Sequence, residues 1–467
     1  MRVRLGEFDG VRGGKGLFKR LIEFVVQFAL FGFSLFDGFR IGLFRGHDDL
    51  PAWQVFAHAP AMVDDCHNKK FNEDASMKNI TCIEDLRQIH KRRVPKPFFD
   101  YVDGGSYAEE TLRANISDMQ KFKFRQRILV DISKRQLNTT ILGEPAALPL
   151  ILAPIGSGGL QYMDGEIYAC RAAQKVGIPY TLSTMSICSI EDVAANVEKP
   201  FWFQLYVMKD RGFAKSLIER AIAAKCSALV LTVDLQVLGQ RHADVKNGLT
   251  VPPKLATLRN LIDFATKPAW VMGMLKGKSR NFGNITGHVK GAGDLGSTSA
   301  WVASQFDQSL NWKDVEWIRS IWPGKLIIKG ILDVVDAREA VKTGAEAIVV
   351  SNHGGRQLDG APSSISVLPE IVQDVGSQTE IMFDGGIRTG QDVMRALALG
   401  AKSCMIGRAY IYGLGAGGQA GVELALDLIG KELSTTMGLT GINHIDEIDR
   451  RVLTDYMQTN AVSSPRN

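Results

Sequence analysis

The sequence predicts an α/β fold, a (β/α)8 TIM barrel with a long insertion after the fourth strand. Short apolar runs that end in polar or glycine residues recur along the chain, and helical patterns separate most of them. Most run ends are roughly 20 to 35 residues apart, the size of one strand–helix unit. Eight consecutive units of this kind predict a closed barrel. The runs lie at 148–154, 179–184, 201–206, 228–234, 325–330, 347–352, 380–386 and 403–408.

The individual elements follow from local patterns. The segment 345–350, AEAIVV, is a continuous apolar run that is typical of a strand buried on both faces. The segments 333–345 and 391–401 have the periodicity of amphipathic helices. In a barrel of this type the active site forms at the carboxyl ends of the strands. Polar residues at those ends are therefore the candidates for chemistry.

The insertion occupies roughly residues 245–311, between the fourth and fifth strands. Its segment 257–285 interleaves Trp, Phe, Met and Leu with Lys and Arg. Two interpretations fit this composition. The segment is either a loop that covers the barrel mouth or a patch that contacts a membrane surface, with basic side chains on anionic headgroups and apolar side chains below them.

The first 76 residues differ from the rest, since nine of the 22 phenylalanines precede residue 45. The apolar stretch 21–36 is short for a membrane-spanning helix, which needs about 20 residues, and it contains Glu23 and Gln27. We expect residues 1–76 to be an extension outside the fold, with an amphipathic membrane-surface segment as the alternative. The barrel domain is predicted at 77–455 and a flexible tail at 456–467.

Composition is that of an ordinary globular protein, with 45% hydrophobic and 22% charged residues. The formal net charge of +5 is compatible with anionic ligands or membrane lipid and does not indicate a nucleic-acid partner. Six cysteines are scattered without metal-binding spacing, which is typical of reduced thiols in a cytosolic protein and predicts no metal site.

The last two strand ends predict a phosphate site. They pair glycines with arginines in DGGIRTG and IGRA. Glycine lets backbone N–H groups approach an anion, and arginine forms forked hydrogen bonds with phosphate oxygens. Barrel enzymes often bind phosphate at this corner. The candidate residues are Asp384, Gly385, Gly386, Ile387, Arg388, Gly407 and Arg408.

Other strand ends predict an acid–base site. His353 follows the sixth strand and can act as a base near neutral pH. Asp234 ends the fourth strand and can orient the imidazole and stabilise its charged form. Arg356 and Arg241 can hold a carboxylate with bidentate hydrogen bonds. Lys329 ends the fifth strand, where it can form a Schiff base with a carbonyl substrate or remain a cation beside a developing negative charge.

Four segments resemble one family in sequence and in order. SNHGGRQLDG (351–360), LTVDLQVLGQRHAD (231–244), FQLYVMKDR (203–211) and FDGGIRTGQDV (383–393) are similar to the FMN-dependent L-α-hydroxy-acid oxidases and dehydrogenases. That family includes glycolate oxidase, flavocytochrome b2, mandelate dehydrogenase and bacterial L-lactate dehydrogenase. The similarity runs from about residue 79 to about residue 450. It implies a flavin-binding barrel and favours the cation for the lysine.

The resemblance also implies a role for each matched residue. His353 acts on the substrate α-carbon with Asp234 as its partner, and Arg356 and Arg241 bind the substrate carboxylate. Tyr206 and Tyr101 bond to substrate oxygens. The phosphate binds to the last two strand ends. The implied flavin contacts are Pro154, Ile155, Gly156, Ser183, Gln204 and Thr232, with Lys329 at the N1–O2 edge of the ring and Ser351 on the ribityl side.

The function that the resemblance implies is oxidation of an (S)-2-hydroxy acid, with L-lactate to pyruvate as the main expectation. Gly156 replaces an alanine that is typical of the oxidases, which favours a dehydrogenase with a quinone or cytochrome acceptor. The alternatives are an oxygen-using, glycolate oxidase-like enzyme and a mandelate-type dehydrogenase. Further expectations are a homo-oligomer, a tetramer, and a cytoplasmic location with peripheral contact of 257–285 on the inner face of the cytoplasmic membrane.

Overall fold

The computed structural model describes residues 79–251, 253–277, 281–289 and 295–454. The predicted extension 1–76 and the predicted tail 456–467 lie outside these residues. Within the described residues, Leu261–Thr266 is grouped apart from the compact unit that contains the rest from Thr81 onwards. The barrel belongs wholly to that larger unit.

Ten strands occur in the described residues, and the last eight are the predicted apolar runs. These eight are all parallel, in the order β3-β10-β9-β8-β7-β6-β5-β4, and a parallel bridge from Leu152 to Tyr180 joins the two ends of the sheet. The predicted barrel is confirmed. The strands are β1 (Thr139–Ile141), β2 (Glu144–Ala146), β3 (Leu150–Leu152), β4 (Thr181–Ser183), β5 (Trp202–Leu205), β6 (Ala228–Thr232), β7 (Lys325–Ile331), β8 (Ala347–Val350), β9 (Glu380–Asp384) and β10 (Ser403–Ile406).

Helices follow the strands as the periodicity predicts, including those expected at 333–345 and 391–401. The last helix is interrupted at Gly417 and Gly418, whose backbone is not helical. In the described residues the helices are α1 (Ile83–Arg93), α2 (Lys96–Asp103), α3 (Glu110–Ser117), α4 (Gly165–Val176), α5 (Ile190–Ala194), α6 (Arg211–Ala223), α7 (His242–Lys246), α8 (Leu258–Ala265), α9 (Pro268–Lys276), α10 (Leu295–Gln305), α11 (Trp312–Ile321), α12 (Val334–Lys342), α13 (Ser364–Val375), α14 (Gly390–Ala398) and α15 (Arg408–Thr440).

The barrel strands are buried on both faces, which explains their uninterrupted apolar character. Every residue of β3, β5, β6, β8 and β10 is buried. Inward-facing side chains fill the barrel, as in parallel sheets covered by helices on the outside. Val230, Ile327, Val349, Met382 and Met405 belong to one buried apolar cluster.

A hairpin that the sequence analysis did not predict closes the amino end of the barrel. β1 and β2 pair antiparallel, with Thr139 opposite Ala146. Leu142 at the turn belongs to the apolar cluster of the barrel. Its N–H donates to Glu380 Oε2 at 3.0 Å, and its carbonyl accepts from Lys325 Nζ. Since Glu380 and Lys325 begin β9 and β7, the hairpin covers the amino ends of the strands and leaves the carboxyl ends for a site.

Helix caps fix the loops at the carboxyl ends. Thr389 caps α14 by accepting from the N–H of Asp392 at 3.1 Å, and the Asp392 carboxylate accepts from the N–H of Thr389 at 3.0 Å. Asp333 caps α12 by accepting from Val335 N–H at 2.7 Å. Such reciprocal caps satisfy the free N–H groups of a first helical turn. The loop between β9 and α14 is therefore held at its helical end.

The insertion has its own helices in the structure. α7 to α10 follow β6, and α11 returns the chain to the barrel at Trp312, so the fourth barrel strand is followed by a long insertion, as predicted. None of the helices in the described part of the chain has both the length and the apolar character needed to cross a membrane.

Candidate active site

A cavity of about 270 Å³ lies at the carboxyl ends of the barrel strands. It is lined by residues from β4, β7, β9 and β10, from the loops that follow the strands, and from the insertion. Most of the predicted site residues meet here. They are Tyr101, Pro154, Ile155, Gly156, Ser183, Tyr206, Arg241, Lys329, His353, Arg356, Asp384, Gly385, Gly386, Ile387, Arg388, Gly407 and Arg408. Four others, Asp234, Gln204, Thr232 and Ser351, do not line the cavity.

His353 and Asp234 form the pair that the sequence analysis expected. Nδ1 of His353 lies 2.8 Å from Oδ1 of Asp234, and both side chains are largely buried. A carboxylate at Nδ1 favours the tautomer with the proton on that nitrogen. Nε2 is then the nitrogen that can accept a proton, and the carboxylate stabilises the resulting imidazolium. The pair is therefore built for general base chemistry at the cavity wall.

The loop that carries His353 has an unusual backbone. His353, Gly354 and Gly355 have φ values of 57°, 64° and 73°, so three consecutive residues are left-handed. A side chain at Gly355 would place its Cβ 2.6 Å from the backbone N of Leu112. Glycine is therefore needed there both for its conformation and for the close approach. Strained backbone of this kind is common at functional sites.

Asn352 braces the same loop, although the sequence analysis found no role for it. Its side-chain amide pairs reciprocally with that of Asn115, at 2.7 and 2.8 Å. Its Oδ1 also accepts from Gly355 N–H at 3.1 Å. Both asparagines are buried, so the paired amides satisfy groups that would otherwise be costly. Nothing in the local sequence of Asn115 indicated this partnership, since it lies 237 residues away.

Two guanidinium groups flank Tyr101 in the cavity. Arg356 lies 4.8 Å and Arg241 5.7 Å from the centre of its ring. Arg356 donates from Nη1 to the backbone oxygens of Tyr101 at 2.5 Å and Gly104 at 3.0 Å. Burial and the nearby charge of Arg241 lower the pKa of Arg356. Two like charges held together without water favour a bound anion, and a substrate carboxylate fits this need.

Asp244 holds one of these arginines and was missed by the sequence analysis. Its Oδ2 accepts from Arg241 Nε at 2.6 Å. The carboxylate lines the same cavity and is buried. The three-residue spacing of Arg241 and Asp244 at the start of α7 is the signal that could have found it.

Tyr206 and Lys329 each lie near a carboxylate. Burial, and then the nearby charge of Asp234, raise the pKa of Tyr206 well above its usual value, so its hydroxyl remains a donor. Lys329 is only 5% exposed and donates to Ser351 Oγ at 2.9 Å. Its Nζ lies 3.0 Å from Asp384 Oδ2. This ion pair fits the role of a cation beside a developing negative charge better than that of a Schiff-base nucleophile.

Asp384 therefore does not have the role that the sequence analysis predicted when it placed this residue in the phosphate site. Its Oδ2 accepts from Ser351 Oγ at 2.7 Å and pairs with Lys329. Burial acts to raise the pKa of Asp384, but Lys329 and the Ser351 hydroxyl outweigh it and lower that pKa overall. The carboxylate neutralises the lysine, and the glycines that follow are the groups that face an anion.

The corner at β9 and β10 combines glycine backbone with buried arginine. Gly386 has a φ of 88°, and an added Cβ would lie 2.3 Å from the carbonyl oxygen of Asn115. The guanidinium of Arg408, which was expected to form forked hydrogen bonds with phosphate, already has protein partners. It donates to the carbonyls of Val102, Gly354 and Gly104 at 2.8, 2.9 and 2.8 Å, which leaves fewer donors for phosphate. Burial, and then the charge of Arg388, lower the pKa of Arg408 to about 10.

The barrel wall behind the cavity presents polar atoms that a cofactor could satisfy. Gln204 accepts at Oε1 from Ser183 Oγ at 3.0 Å and from Thr184 N–H at 3.3 Å. Its Nε2, together with Thr232 Oγ1 and Asp234 Oδ2, is buried without a hydrogen-bond partner among the described residues. Unpartnered buried polar atoms are rare. A ring with carbonyl and N–H groups would satisfy them, so the donor set fits a flavin with its phosphate at the glycine corner.

Comparison with known proteins identifies the class. The family of FMN-dependent dehydrogenases matches residues 90–455. The chain belongs to the FMN-dependent dehydrogenase family, and its cofactor is FMN. The predicted family, barrel and cofactor are confirmed.

Relatives narrow the comparison further. The chain is 48% identical over 375 residues to the L-lactate dehydrogenase of Pseudomonas syringae pv. syringae (strain B728a), covering 80% of this chain and 98% of the relative. It is 46% identical over 377 residues to the L-lactate dehydrogenase of Haemophilus influenzae (strain PittEE), with the same coverage.

Solved structures share the fold. One is described as the monotopic membrane protein (S)-mandelate dehydrogenase, with a TM-score of 0.77 and 35% identity over 81% of this chain and 100% of that chain. Mandelate oxidase has a TM-score of 0.68 and 35% identity, covering 80% of this chain and 98% of that chain.

Proposed function

We propose that this protein oxidises a small (S)-2-hydroxy acid, with L-lactate to pyruvate as the preferred reaction. The observation that carries the proposal is that His353, paired with Asp234, lines one cavity together with Arg241 and Arg356. A 2-hydroxy acid needs a base beside its α-carbon and cations at its carboxylate. The relatives named L-lactate dehydrogenase, matched over 98% of their length, support lactate as the substrate.

The residues divide the work of binding and proton transfer. Arg241 and Arg356 bind the substrate carboxylate, and the phenols of Tyr101 and Tyr206 bond to its oxygens. His353 takes a proton at Nε2, either from the α-carbon or from the hydroxyl group. Asp234 holds the ring and stabilises the imidazolium that forms. Both routes of oxidation use the same base.

A second group of residues is assigned to holding FMN and stabilising charge on its ring. When bound, FMN supplies the acceptor for the pair of electrons. We assign the ring to Pro154–Gly156, Ser183, Gln204 and Thr232, and the ribityl side to Ser351. The Lys329 ammonium stabilises negative charge near the ring. The phosphate is assigned to Gly385–Arg388 with Gly407 and Arg408, where the partly buried guanidinium of Arg388 and the buried one of Arg408 favour an anion.

A larger substrate side chain is the second candidate, favoured by an apolar arm of the cavity. Met185, Leu238, Phe282, Val302 and Phe306 line this arm, three of them from the insertion. A methyl group fills little of it, whereas an aromatic or longer aliphatic side chain fills more. The solved structures of mandelate dehydrogenase and mandelate oxidase, whose named substrate has an aromatic side chain, support this second candidate.

The electron acceptor that we propose is a membrane quinone or a cytochrome rather than oxygen. The absence of a side chain at Gly156 bears on this, since an added Cβ would lie 3.1 Å from Met185 Cβ and 3.3 Å from the Tyr101 hydroxyl. The difference between glycine here and the alanine that is typical of the oxidases would therefore change the space around the reacting atoms directly. An oxygen-using oxidase of the glycolate oxidase kind is the alternative.

Anaerobic half-reactions test the substrate and the acceptor together. The FMN-loaded protein is mixed with L-lactate, glycolate, (S)-mandelate and longer 2-hydroxy acids, and the loss of visible flavin absorbance is timed. Lactate is expected to reduce the flavin fastest. The reduced protein is then mixed with a soluble quinone or with oxygen. Faster reduction by mandelate overturns the substrate, and faster reoxidation by oxygen overturns the acceptor.

We propose that the segment 257–285 contacts the inner face of the cytoplasmic membrane. Leu258, Met272 and Leu275 are 75%, 48% and 44% exposed, and Lys276 ends α9. Exposed apolar side chains beside basic ones suit an anionic lipid surface. A relative described as a monotopic membrane protein supports this.

Vesicle sedimentation tests that contact. Binding to vesicles with anionic lipid is expected to fall at least about tenfold when Met272 and Leu275 are both changed to Glu. The control is Val335→Glu. Val335 is an apolar residue on the barrel helix α12, outside the insertion, and it is 62% exposed. Equal loss in the two proteins overturns the proposed surface. The expected tetramer is tested separately by light scattering of the same samples.

A further inference from the structure

A short segment of the insertion is buried against the loop that follows β4. In the segment Asn281–Ile285, Asn284 and Ile285 are fully buried, and Phe282 lines the cavity. The N–H of Gly283 is within hydrogen-bond distance of the carbonyls of Ser186 and Ile187, both at 3.2 Å. The insertion is therefore attached to the barrel at the level of the site.

Gly283 shows how close this contact is. An added Cβ would lie 2.6 Å from the carbonyl oxygen of Ile187 and 2.7 Å from the backbone N of Ser189. Backbone atoms cannot move aside as the end of a flexible side chain can. The segment therefore meets the β4 loop backbone to backbone, without room for a side chain between them.

Asn284 uses all of its side-chain polar atoms on that loop. Its Nδ2 donates to the carbonyl of Ser183 at 3.2 Å and to Ser186 Oγ at 3.0 Å, and lies 3.4 Å from the carbonyl of Thr184. Its Oδ1 accepts from the N–H of Ile190 at 2.9 Å. One side chain thus holds both ends of the loop from Ser183 to Ile190.

A cation on α6 fixes Asn284 from the other side. Arg220 donates from Nη1 to the backbone carbonyl of Asn284 at 2.9 Å. The same guanidinium pairs with both oxygens of Glu191 at 2.7 Å, just after the loop. Asn284 is therefore held in place by a neighbour that is itself immobilised.

The same loop is hydrogen-bonded to Gln204 and Tyr206 at the cavity. Ser183 Oγ and Thr184 N–H both donate to Gln204 Oε1, and Thr184 Oγ1 accepts from the N–H of Tyr206 at 3.2 Å. These bonds fix the amide of Gln204 so that its Nε2 stays without a partner among the described residues. Asn284 itself does not line the cavity.

We infer that Asn284 is a positioning residue for the cofactor site, acting through Ser183 and Thr184 on the amide of Gln204. The inference rests on the proposed assignment of Ser183 and Gln204 to the flavin. It makes the insertion a structural part of the flavin site in addition to a cover for the cavity. The substrate clamp of Arg241 and Arg356 has no hydrogen bond to Asn284, so substrate binding depends on it less.

The chain offers a matched control at Asn281. This asparagine lies three residues earlier in the same segment and donates from Nδ2 to Thr298 Oγ1 at 3.0 Å on α10. Its Oδ1 accepts from the N–H of Phe282 at 2.8 Å. Both bonds stay inside the insertion. Asn281→Ala removes an amide of the same kind from the same segment, and neither of these two bonds reaches the β4 loop.

The experiment compares Asn284→Ala with Asn281→Ala in the full chain. FMN is titrated into the cofactor-free proteins, and the dissociation constant is read from flavin fluorescence. Asn284→Ala is expected to raise it at least about tenfold, because the N–H of Ile190 loses its acceptor and the Gln204 amide is released. Asn281→Ala is expected to stay within about twofold of the unaltered protein.

Hydrogen–deuterium exchange supplies a readout that a general loss of stability would not give. In the cofactor-free Asn284→Ala protein, amides of residues 183–190 are expected to exchange faster, while those of β8 and β9 keep their rates. The KM for lactate is expected to change less than about twofold, with the effect confined to kcat and FMN affinity. Equal effects of the two variants, or unchanged exchange at 183–190, overturn the inference.

Asn284→Ser keeps the test decisive if the alanine variant does not accumulate, because serine retains one donor and is expected to give a smaller effect in the same direction. A serine variant with unaltered FMN affinity and exchange also overturns the inference. If the unaltered protein binds FMN but does not oxidise any 2-hydroxy acid, the proposed function fails while the role of Asn284 still stands or falls on the titration.

Discussion

The two ends of the cavity hold charge in different ways. At the reaction end, side chains are held by other side chains, as Asp234 holds His353 and Asp244 holds Arg241. At the end that we propose binds phosphate, the glycines at 385 and 386 bring backbone close to neighbouring segments, and backbone carbonyls hold Arg408. Proton transfer needs groups with tuned basicity, whereas binding a constant anion needs only fixed dipoles and charge. Variants at the two ends should therefore fail in different assays.

The largest effect is expected at the base. His353→Gln removes the proton acceptor, and kcat should fall by about a factor of ten thousand, the upper range for loss of general base catalysis. FMN affinity should change little, because Lys329 and the glycine corner are untouched. Stopped-flow flavin reduction by L-lactate measures the loss. The control is His444→Gln, an exposed histidine outside the cavity, and a comparable loss there contradicts the assignment.

Asp234→Asn should lower kcat by about a thousandfold. The amide keeps the shape but no longer stabilises the imidazolium or enforces the tautomer. The KM for lactate should stay within about threefold, since the arginine clamp does not involve Asp234. Steady-state kinetics with an artificial acceptor checks this. A change confined to KM would show that Asp234 serves substrate binding instead.

The phosphate end gives the contrasting result. Gly386→Ala would place a Cβ 2.3 Å from the Asn115 carbonyl at a φ of 88°, and the FMN dissociation constant should rise about a hundredfold. With FMN in excess, kcat should recover most of its value. Gly344→Ala is the matched control, since Gly344 also has a positive φ, 75°, but its Cβ would meet nothing within 4 Å. Similar loss of FMN in both proteins would mean that backbone strain alone is responsible.

Asp244→Asn is expected to act on substrate affinity alone. It weakens the hold on Arg241 by replacing a charged acceptor with a neutral one, and the KM for lactate should rise about tenfold. The kcat value and FMN affinity should remain near those of the unaltered protein. Kinetics across lactate concentrations, with FMN titration beside them, separates these effects. A fall in kcat without a change in KM would place Asp244 in proton transfer.

The smallest effect concerns Tyr206 and pH. Because burial and Asp234 raise the pKa of Tyr206, its phenol stays protonated up to pH 10 and beyond. Tyr206→Phe should lower kcat/KM only about threefold, as expected for one hydrogen bond. The alkaline limb of the pH–rate profile should keep its position in the variant. A shift of that limb after the substitution would mean that Tyr206 titrates in the measured range.

Much of the site could be predicted because the barrel places strand ends together. Once eight strand–helix units are recognised, the residues after β6, β7, β8 and β9 must meet at one mouth, however far apart they are in the chain. That rule brought His353, Lys329 and the glycine corner to one cavity, with Asp234 hydrogen-bonded to His353. The hairpin β1–β2 escaped prediction because its short strands lack the repeated strand–helix spacing.

Residues that act through others were the ones missed. Asn115 and Asn284 are short polar residues in segments with no motif, and each is held by a partner on another element, while Asp244 lies at the end of a matched segment but received no role. Arg408 is the opposite case, since it was predicted as a site residue but its hydrogen-bond partners were not. Its place at the corner was predicted, but its donors are used by three carbonyls from segments far away in sequence.

The sequence by itself determined the barrel, the family and the identity of the groups at the strand ends, because apolar periodicity and strand-end chemistry are local properties of the chain. Only the tertiary structure decided which charges pair. It set Asp384 against Lys329 and attached the insertion to β4 through Asn284. The physical reason is that burial makes an unpaired charge or amide costly, and the partner that satisfies it is chosen by packing between elements.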